Sequence, residues 1–271
     1  MQSKLLMKEQ IWNQIQTVRQ QAPLVHCITN YVVMNTTANA LLAAGASPIM
    51  AHAHSEMNAM VSIADSLVIN IGTLDEYWVE SMLLAIKQAN LLGKPWVLDP
   101  VGAGATPYRD ETLKQILQFH PTIIRGNASE IMSLANQNTR LTKGVDSTHG
   151  SDEAIIAAKQ LQVEFGSVVC ISGATDIITG AEIITRLTNG HSLMTKVTGM
   201  GCTATALTGA FVAVNPKDGF MATVSAMALM GVAGQIAAEK SKGRPGILQI
   251  NFLDALYQLT EEEFLNLVRI S

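Results

Sequence analysis

The sequence predicts an α/β fold, a mostly parallel central sheet with helices on both faces, in one domain spanning residues 1–271. Three observations carry this. Short apolar runs alternate along the chain with longer helical patterns, the order that builds a parallel sheet. Several runs, such as Ser66-Leu67-Val68-Ile69-Asn70-Ile71, are continuous rather than alternating, as strands buried on both faces require. The chain is 48% hydrophobic and only 15% charged, which supplies a large core and excludes a disordered polypeptide.

The elements follow in order. Gln10 to Gln21 reads as an opening amphipathic helix stopped near Pro23, and Leu24 to Ile28 as a strand. A turn at Thr29-Asn30-Tyr31 leads to a helix from Val32 to Ala44, ended by Gly45. Ser47 to Met50 is a strand, Glu56 to Ala64 a helix and Ser66 to Ile71 a strand. Tyr77 to Leu92 is a helix closed by Gly93, and Pro95 to Leu98 a strand ending at Asp99. Arg109 to Gln118 is a helix, and Pro121 to Ile124 leads a strand into Arg125. Asn136 to Asp152 reads as a charged loop, Asp152 to Phe165 as a helix and Ser167 to Ile171 as a strand. Ile177-Ile178 and Glu182 to Leu187 form a hairpin around Thr179-Gly180-Ala181. An apolar run ending at Thr198 reads as a strand entering a glycine turn. Helices from about Cys202 to Val214, Gly219 to Lys240 and Phe252 to Leu259 come next, then a charged terminal helix.

Composition narrows the function. A net charge of −4 with no basic stripe argues against a nucleic-acid partner. Cys27, Cys170 and Cys202 are odd in number and far apart, so they form no zinc or disulfide framework and fit a reducing cytoplasm. The N-terminus lacks an apolar signal core, and Ala222 to Ala238, rich in Ala, Met and Gly, reads as a buried helix rather than a membrane span.

Ligands of such sheets sit beyond the carboxyl ends of the strands. Polar and small residues gather there. The Thr198-Gly199-Met200-Gly201-Cys202 turn frees the backbone and opens a helix whose first N–H groups lack partners, which makes it either an anion site or an unliganded turn. Asp99, heading Asp99-Pro100-Val101-Gly102-Ala103-Gly104-Ala105-Thr106, either holds magnesium or caps the turn. In Arg125-Gly126-Asn127-Ala128-Ser129-Glu130, Arg125 suits phosphate. Glu130 completes a capping box with Asn127 or serves as a second carboxylate near a metal. Cys202, at a helix start whose dipole favours thiolate, is a base or polar contact for a hydroxyl, or else a small buried residue. Cys27 and Cys170 lie in apolar strands and read as core. His52 and His54 lack the ligands of a metal site. Gly199-x-Gly201-x-x-Ala204 fits the dinucleotide fingerprint in spacing but comes too late in the chain, and no Gly-x-x-x-x-Gly-Lys loop is present.

The Asp99 and Arg125 blocks and the Gly199 turn, with Val25 to Val32 and Ala44 to Met50, closely resemble the hydroxyethylthiazole kinase family of the ribokinase-like superfamily. The resemblance runs in order over nearly the whole chain. It implies ATP-dependent, magnesium-requiring phosphorylation of the hydroxyl of 4-methyl-5-(2-hydroxyethyl)thiazole in thiamine biosynthesis. It further implies a ribokinase-like domain without a separate lid, and a homotrimer whose sites lie between subunits. By position it implies that Arg125 and Ser172 contact ATP. Met50 and Gly199 would contact the thiazole, with Asn30 nearby, and Asp99 and Glu130 would lie near magnesium. Cys202, with Gly199 and Gly201, would take the catalytic position, where many members of the superfamily carry an aspartate. Met200 stands where the family often has threonine. The alternatives are another small-alcohol kinase, such as a hydroxymethylpyrimidine kinase, or a thiazole sensor without catalysis.

Overall fold

The computed structural model describes residues 2–138 and 150–271. Its strands are β1 (Leu24–Ile28), β2 (Ser47–Ile49), β3 (Ser66–Asn70), β4 (Trp96–Asp99), β5 (Ile123–Asn127), β6 (Val168–Ser172), β7 (Asp176–Thr179) and β8 (Ile184–Leu187). Among the described residues they form one sheet in the order β2-β1-β3-β4-β5-β6-β7-β8. Pairing is parallel from β2 to β6 and antiparallel for β6–β7 and β7–β8.

Successive strand residues point to opposite faces, and the two faces are filled separately. Val25, Cys27, Val68, Val97, Ile123 and Cys170 meet one helical layer. It comprises α1 (Gln2–Gln21), α2 (Met34–Ala44), α8 (Met200–Val214), α9 (Gly219–Ser241), α10 (Pro245–Gln258) and α11 (Glu261–Leu267). Leu67, Ile69, Trp96, Leu98, Ile124 and Val169 meet the other. It comprises α3 (Met57–Ile63), α4 (Glu76–Leu91), α5 (Pro107–Leu117), α6 (Ala128–Asn138) and α7 (Gly150–Phe165). The chain leaves β1 toward the first layer and β3 toward the second. The adjacent carboxyl ends of β1 and β3 are therefore a topological switch point, where such sheets open a crevice.

Helix α8 lies directly on the sheet. The Ser66 hydroxyl donates to the Gly209 carbonyl at 2.7 Å, and a Cβ at Gly209 would collide with Val68. Every residue from Thr203 to Val212 is buried, so α8 has no solvent-facing stripe. Helix α9 is long and apolar enough to cross a membrane by length and composition, but it is buried inside this fold.

The predicted elements recur with shifted bounds and four corrections. The opening helix begins at Gln2 rather than Gln10. The run before the glycine turn is no strand: Ser192–Lys196 is a 3-10 turn, closed by Met194 N–H on the His191 carbonyl and Val197 N–H on the Met194 carbonyl. Helix α10 starts at Pro245 rather than Phe252, because proline fits the first turn, where its missing N–H costs nothing. The expected loop from Asn136 to Asp152 is helical at both ends, through Asn138 and from Gly150; residues 139–149 lie outside the described residues.

Candidate active site

Five strands and the start of α8 bring polar side chains together over the switch point. Asn30, just past β1, donates from Nδ2 to Asn70 Oδ1 at 2.9 Å and to Cys202 Sγ at 3.4 Å. Asn70, the last residue of β3, donates to Asp99 Oδ2 at 2.8 Å, and the Thr205 hydroxyl on α8 donates to the same oxygen at 2.7 Å. Arg125 on β5 brings Nη1 to 3.8 Å from Asp99 Oδ2 and donates from Nη2 to the Ser172 hydroxyl at 2.5 Å. Residues from 30 to 205 thus form one chain of contacts across the end of the sheet.

Burial sets the charges in this chain. Asp99 is 1% exposed, and burial pushes its carboxyl up to about 6, against the opposing pull of Arg125 and the Thr205 hydroxyl. Burial wins because the guanidinium stays 3.8 Å away and makes no hydrogen bond to it. Asp99 Oδ1 is buried and has no partner. Burial also opposes the Arg125 charge, but the carboxylates around it, Asp99 first, hold its pKa above the ordinary value. Asp176, at the start of β7, is pushed up to about 6 by burial and accepts the Gly173 N–H at 3.0 Å.

The glycine turn forms as expected, with Gly199 rather than a strand residue as its hinge. Gly199 caps α8 at φ 82°, in the left-handed region, and a Cβ there would lie 2.5 Å from Val33 Cγ1. The first helical bond is Thr203 N–H to the Gly199 carbonyl at 2.8 Å. The amides of Met200, Gly201 and Cys202 precede it and lie outside the helical ladder. A Cβ at Gly201 would lie 2.8 Å from Arg125 Nη1. The guanidinium is therefore packed against the first turn of α8, so fixed cation and helix dipole act on one spot.

That spot opens into a cavity of about 590 Å³. Arg125, Ser172, Asp176, Gly199 and Gly201 line it on one side; Met194, Met227 and Met230 form apolar wall. Of the residues predicted from sequence, Arg125, Ser172, Gly199 and Gly201 meet here. Asn30, Asp99 and Cys202 join them through the hydrogen-bond chain rather than as cavity wall. Met50 follows β2 and stands outside that chain.

One expectation is overturned and one is met. The Cys202 thiol is not activated: burial and the neighbouring Asp99 charge push its pKa up, against the help of Asn70 and Asn30. The helix start alone suggested the opposite. Glu130 makes the capping box with Asn127, Oε2 accepting Asn127 N–H and Asn127 Oδ1 accepting Glu130 N–H, both at 2.9 Å. Its Oε1 accepts Gly102 N–H at 3.0 Å, which ties it to the turn after Asp99. Cys27 and Cys170 are fully buried core residues, and burial pushes the Cys27 thiol up to about 12. Among the described residues, no cluster of three or more His, Cys, Asp or Glu side chains is grouped to hold a metal by itself.

Comparison with known proteins decides the family. The model of the hydroxyethylthiazole kinase family matches residues 15–262. The chain belongs to that family. It is 56% identical over 263 residues to the hydroxyethylthiazole kinase of Syntrophus aciditrophicus, covering 97% of each chain. Against the Vibrio atlanticus hydroxyethylthiazole kinase it is 52% identical, covering 98% of this chain and 100% of the relative. The solved hydroxyethylthiazole kinase of Pyrococcus horikoshii superposes with a TM-score of 0.89 at 43% identity, covering 96% of this chain and 98% of the other. A ribokinase-like superfamily protein of Enterococcus faecalis, 14% identical, superposes at 0.62 over 89% of this chain and 87% of its own, and shares the fold. This chain is a kinase with the ribokinase-like fold.

The structure also gives roles to residues to which the sequence assigned none. Asn70 and Thr205 share Asp99 Oδ2, and Asp176 lines the cavity. Thr205 lies four residues after Gly201, one helical turn deeper on the same face of α8, a spacing visible in the sequence. His26, completely buried, brings Nε2 to 2.8 Å from the Ala51 carbonyl and so anchors the segment that carries Met50. Burial lowers its pKa, which keeps the imidazole neutral and makes Nε2–H the donor.

Proposed function

We propose that this chain transfers the terminal phosphoryl group of ATP to the hydroxyl of 4-methyl-5-(2-hydroxyethyl)thiazole, feeding thiamine biosynthesis and salvage. One observation carries the reading of the site: a buried guanidinium, Arg125, packed against the unladdered amides that open α8 and facing a cavity of nucleotide size. Phosphoryl transfer has a loose transition state, so catalysis is mostly positioning and charge neutralisation. Arg125 and the Ser172 hydroxyl hold the ATP phosphates. The amides of Gly201 and Cys202 receive the charge on the group in flight. The thiazole alcohol lies across the turn, against Met50, Gly199 and Asn30. Its oxygen forms the new bond to phosphorus as the bond to the ADP oxygen breaks, and its proton passes to solvent. Cys202, a neutral thiol, orients the hydroxyl; no strong base is needed where bond formation to the nucleophile lags.

The oxygen donors fit magnesium. Asp99 Oδ1 is an unpartnered carboxylate oxygen, and Glu130 brings a second carboxylate through the Gly102 turn. Both would hold the ion through its waters, in keeping with the few protein ligands magnesium takes beside phosphates. When bound, it would neutralise charge on the ATP phosphates.

We read the whole chain as one kinase domain acting in the cytoplasm, with its three cysteines free. We further propose a homotrimer with sites between subunits, supported by the exposure of Tyr31 and Val32 directly beside Asn30. Light scattering on the purified protein tests the assembly. The decisive assay mixes purified protein, ATP, magnesium and the thiazole alcohol, and follows ADP and the phosphorylated thiazole by mass spectrometry. The expected product is the thiazole phosphate. Preferential phosphorylation of hydroxymethylpyrimidine, or thiazole binding without ATP consumption, overturns the proposal.

A further inference from the structure

Arg109 stands in the first turn of α5, and its guanidinium is spent on main-chain carbonyls. Nη1 donates to Ile71 at 2.5 Å and to Val101 at 2.9 Å, and Nη2 donates to Gly72 at 2.7 Å. The side chain also packs along the Gly102 turn, where a Cβ would lie 3.5 Å from its Cδ and Nε. One residue thus laces the loop after β3 to the loop after β4. Both loops carry the site, since Asn70 and Asp99 close those two strands.

The loop that Arg109 grips rests on Asn30. A Cβ at Gly72 would lie 2.6 Å from Asn30 Nδ2 and 2.7 Å from its Cβ and Cγ. Gly72 N–H donates at 3.0 Å to Asn70 Oδ1, the same oxygen that accepts from Asn30. A shift of Gly72 therefore moves the Asn30 amide, and with it the contact to Cys202 Sγ. Arg109, Gly72 and Asn30 are not walls of the 590 Å³ cavity, so the effect falls on the far side of the glycine turn.

We infer that Arg109 is a positioning residue for the acceptor alcohol: it clamps the Ile71–Gly72 and Val101 carbonyls so that Asn30 and Cys202 are held where the hydroxyl must lie. The inference rests on the proposed function for the identity of the alcohol. A neutral side chain or a lysine cannot grip three carbonyls from one planar fork.

The test compares wild type, Arg109→Ala and Arg109→Lys at a temperature where all are folded. Two readouts are taken: steady-state kinetics for each substrate, and alkylation of Cys202 by iodoacetamide, which needs no turnover. Cys27 and Cys170 are fully buried, so the reaction reports Cys202. The expected result for Arg109→Ala is a loss of about 10- to 100-fold in kcat/KM for the alcohol, with KM for ATP nearly unchanged. Its Cys202 alkylates several-fold faster, and tens of millimolar guanidinium partly restores both properties. Arg109→Lys falls between, and decides the matter if Arg109→Ala does not fold. Equal losses for both substrates, or unchanged alkylation with no guanidinium rescue, overturn the positioning role. A wild type that makes no thiazole phosphate overturns the proposed function instead, and the alkylation rates still decide the clamp.

Discussion

Adding one carbon at Gly201 is the sharpest perturbation of the proposed phosphate site. In Gly201→Ala the new Cβ would lie 2.8 Å from Arg125 Nη1, 3.3 Å from Nη2 and 3.5 Å from Cζ. Ordinary contact needs about 3.4 Å or more, so the guanidinium must withdraw by roughly half an ångström or more. It cannot do so freely, because Nη2 is bonded to Ser172 at 2.5 Å and Nε is buried. Gly201 is not among the residues with positive φ, so alanine suits its backbone and gains about 0.5–1 kcal/mol in helix propensity. That gain offsets part of the steric strain, and the fold should survive. A displacement on the order of 1 Å in a catalytic contact costs about 100-fold in rate, or ~2.7 kcal/mol of transition-state stabilisation. The assay is ADP release against ATP concentration, run beside a thermal melt. The expected outcome is a fall of about 100-fold in kcat/KM for ATP with a Tm within a few degrees of wild type. Wild-type kcat/KM for ATP, or a loss that only follows the unfolded fraction, refutes the reasoning.

Other consequences are checked in the same preparations. Arg125→Lys keeps the charge but loses the fork, so KM for ATP should rise about tenfold or more; unchanged ATP kinetics would remove Arg125 from the phosphate site. Cys202→Ala should slow turnover without abolishing it, and complete loss in a folded variant would contradict a merely orienting thiol. Alkylation of wild-type Cys202 should keep accelerating above pH 9.0, since burial and Asp99 raise its pKa; a plateau near neutrality would show an activated thiolate. Asp99 and Asp176 are both raised to about 6 from 3.8, so the stability they contribute is fully present below about 3.8 and lost as pH rises through about 6. In metal-free protein these two groups should therefore favour folding as pH falls from 7 to 5, read as a rising Tm in thermal melts; a Tm that falls steadily across that window would contradict the burial of Asp99 and Asp176.

The sheet was legible because its strands are continuous apolar runs that only a doubly covered sheet can bury. The approximate ends of α2, α4 and α8 followed from Gly45, Gly93 and the small-residue run after Gly201. Local patterns failed where tertiary contacts decide. Lys196-Val197-Thr198 has strand-like composition, yet these residues only close and follow the 3-10 turn Ser192–Lys196, whose Met194 packs against Gly234 of α9. The Pro245 start of α10 was masked by the glycines around it. At the site, Arg125 and Ser172 were readable from their places toward the carboxyl ends of strands, and the glycine turn from its two closely spaced glycines before a small-residue helix. The raised thiol of Cys202 was not, because it depends on Asp99, Asn30 and Asn70, which are remote in sequence. Arg109 looked like an ordinary first-turn helix residue; its grip on Ile71, Gly72 and Val101 exists only once the two loops are adjacent.

Helix α8 is buried from Thr203 to Val212 and pinned to the sheet where Ser66 meets Gly209. Its first turn cannot fray as an exposed helix end does. The amides that would greet a phosphate are already aimed before any nucleotide arrives, and no ordering entropy need be spent on them at binding. Loosening the contact between Gly209, partway along α8, and Ser66, at the start of β3, would let that end breathe and so blunt the enzyme while leaving every side chain that touches substrate in place.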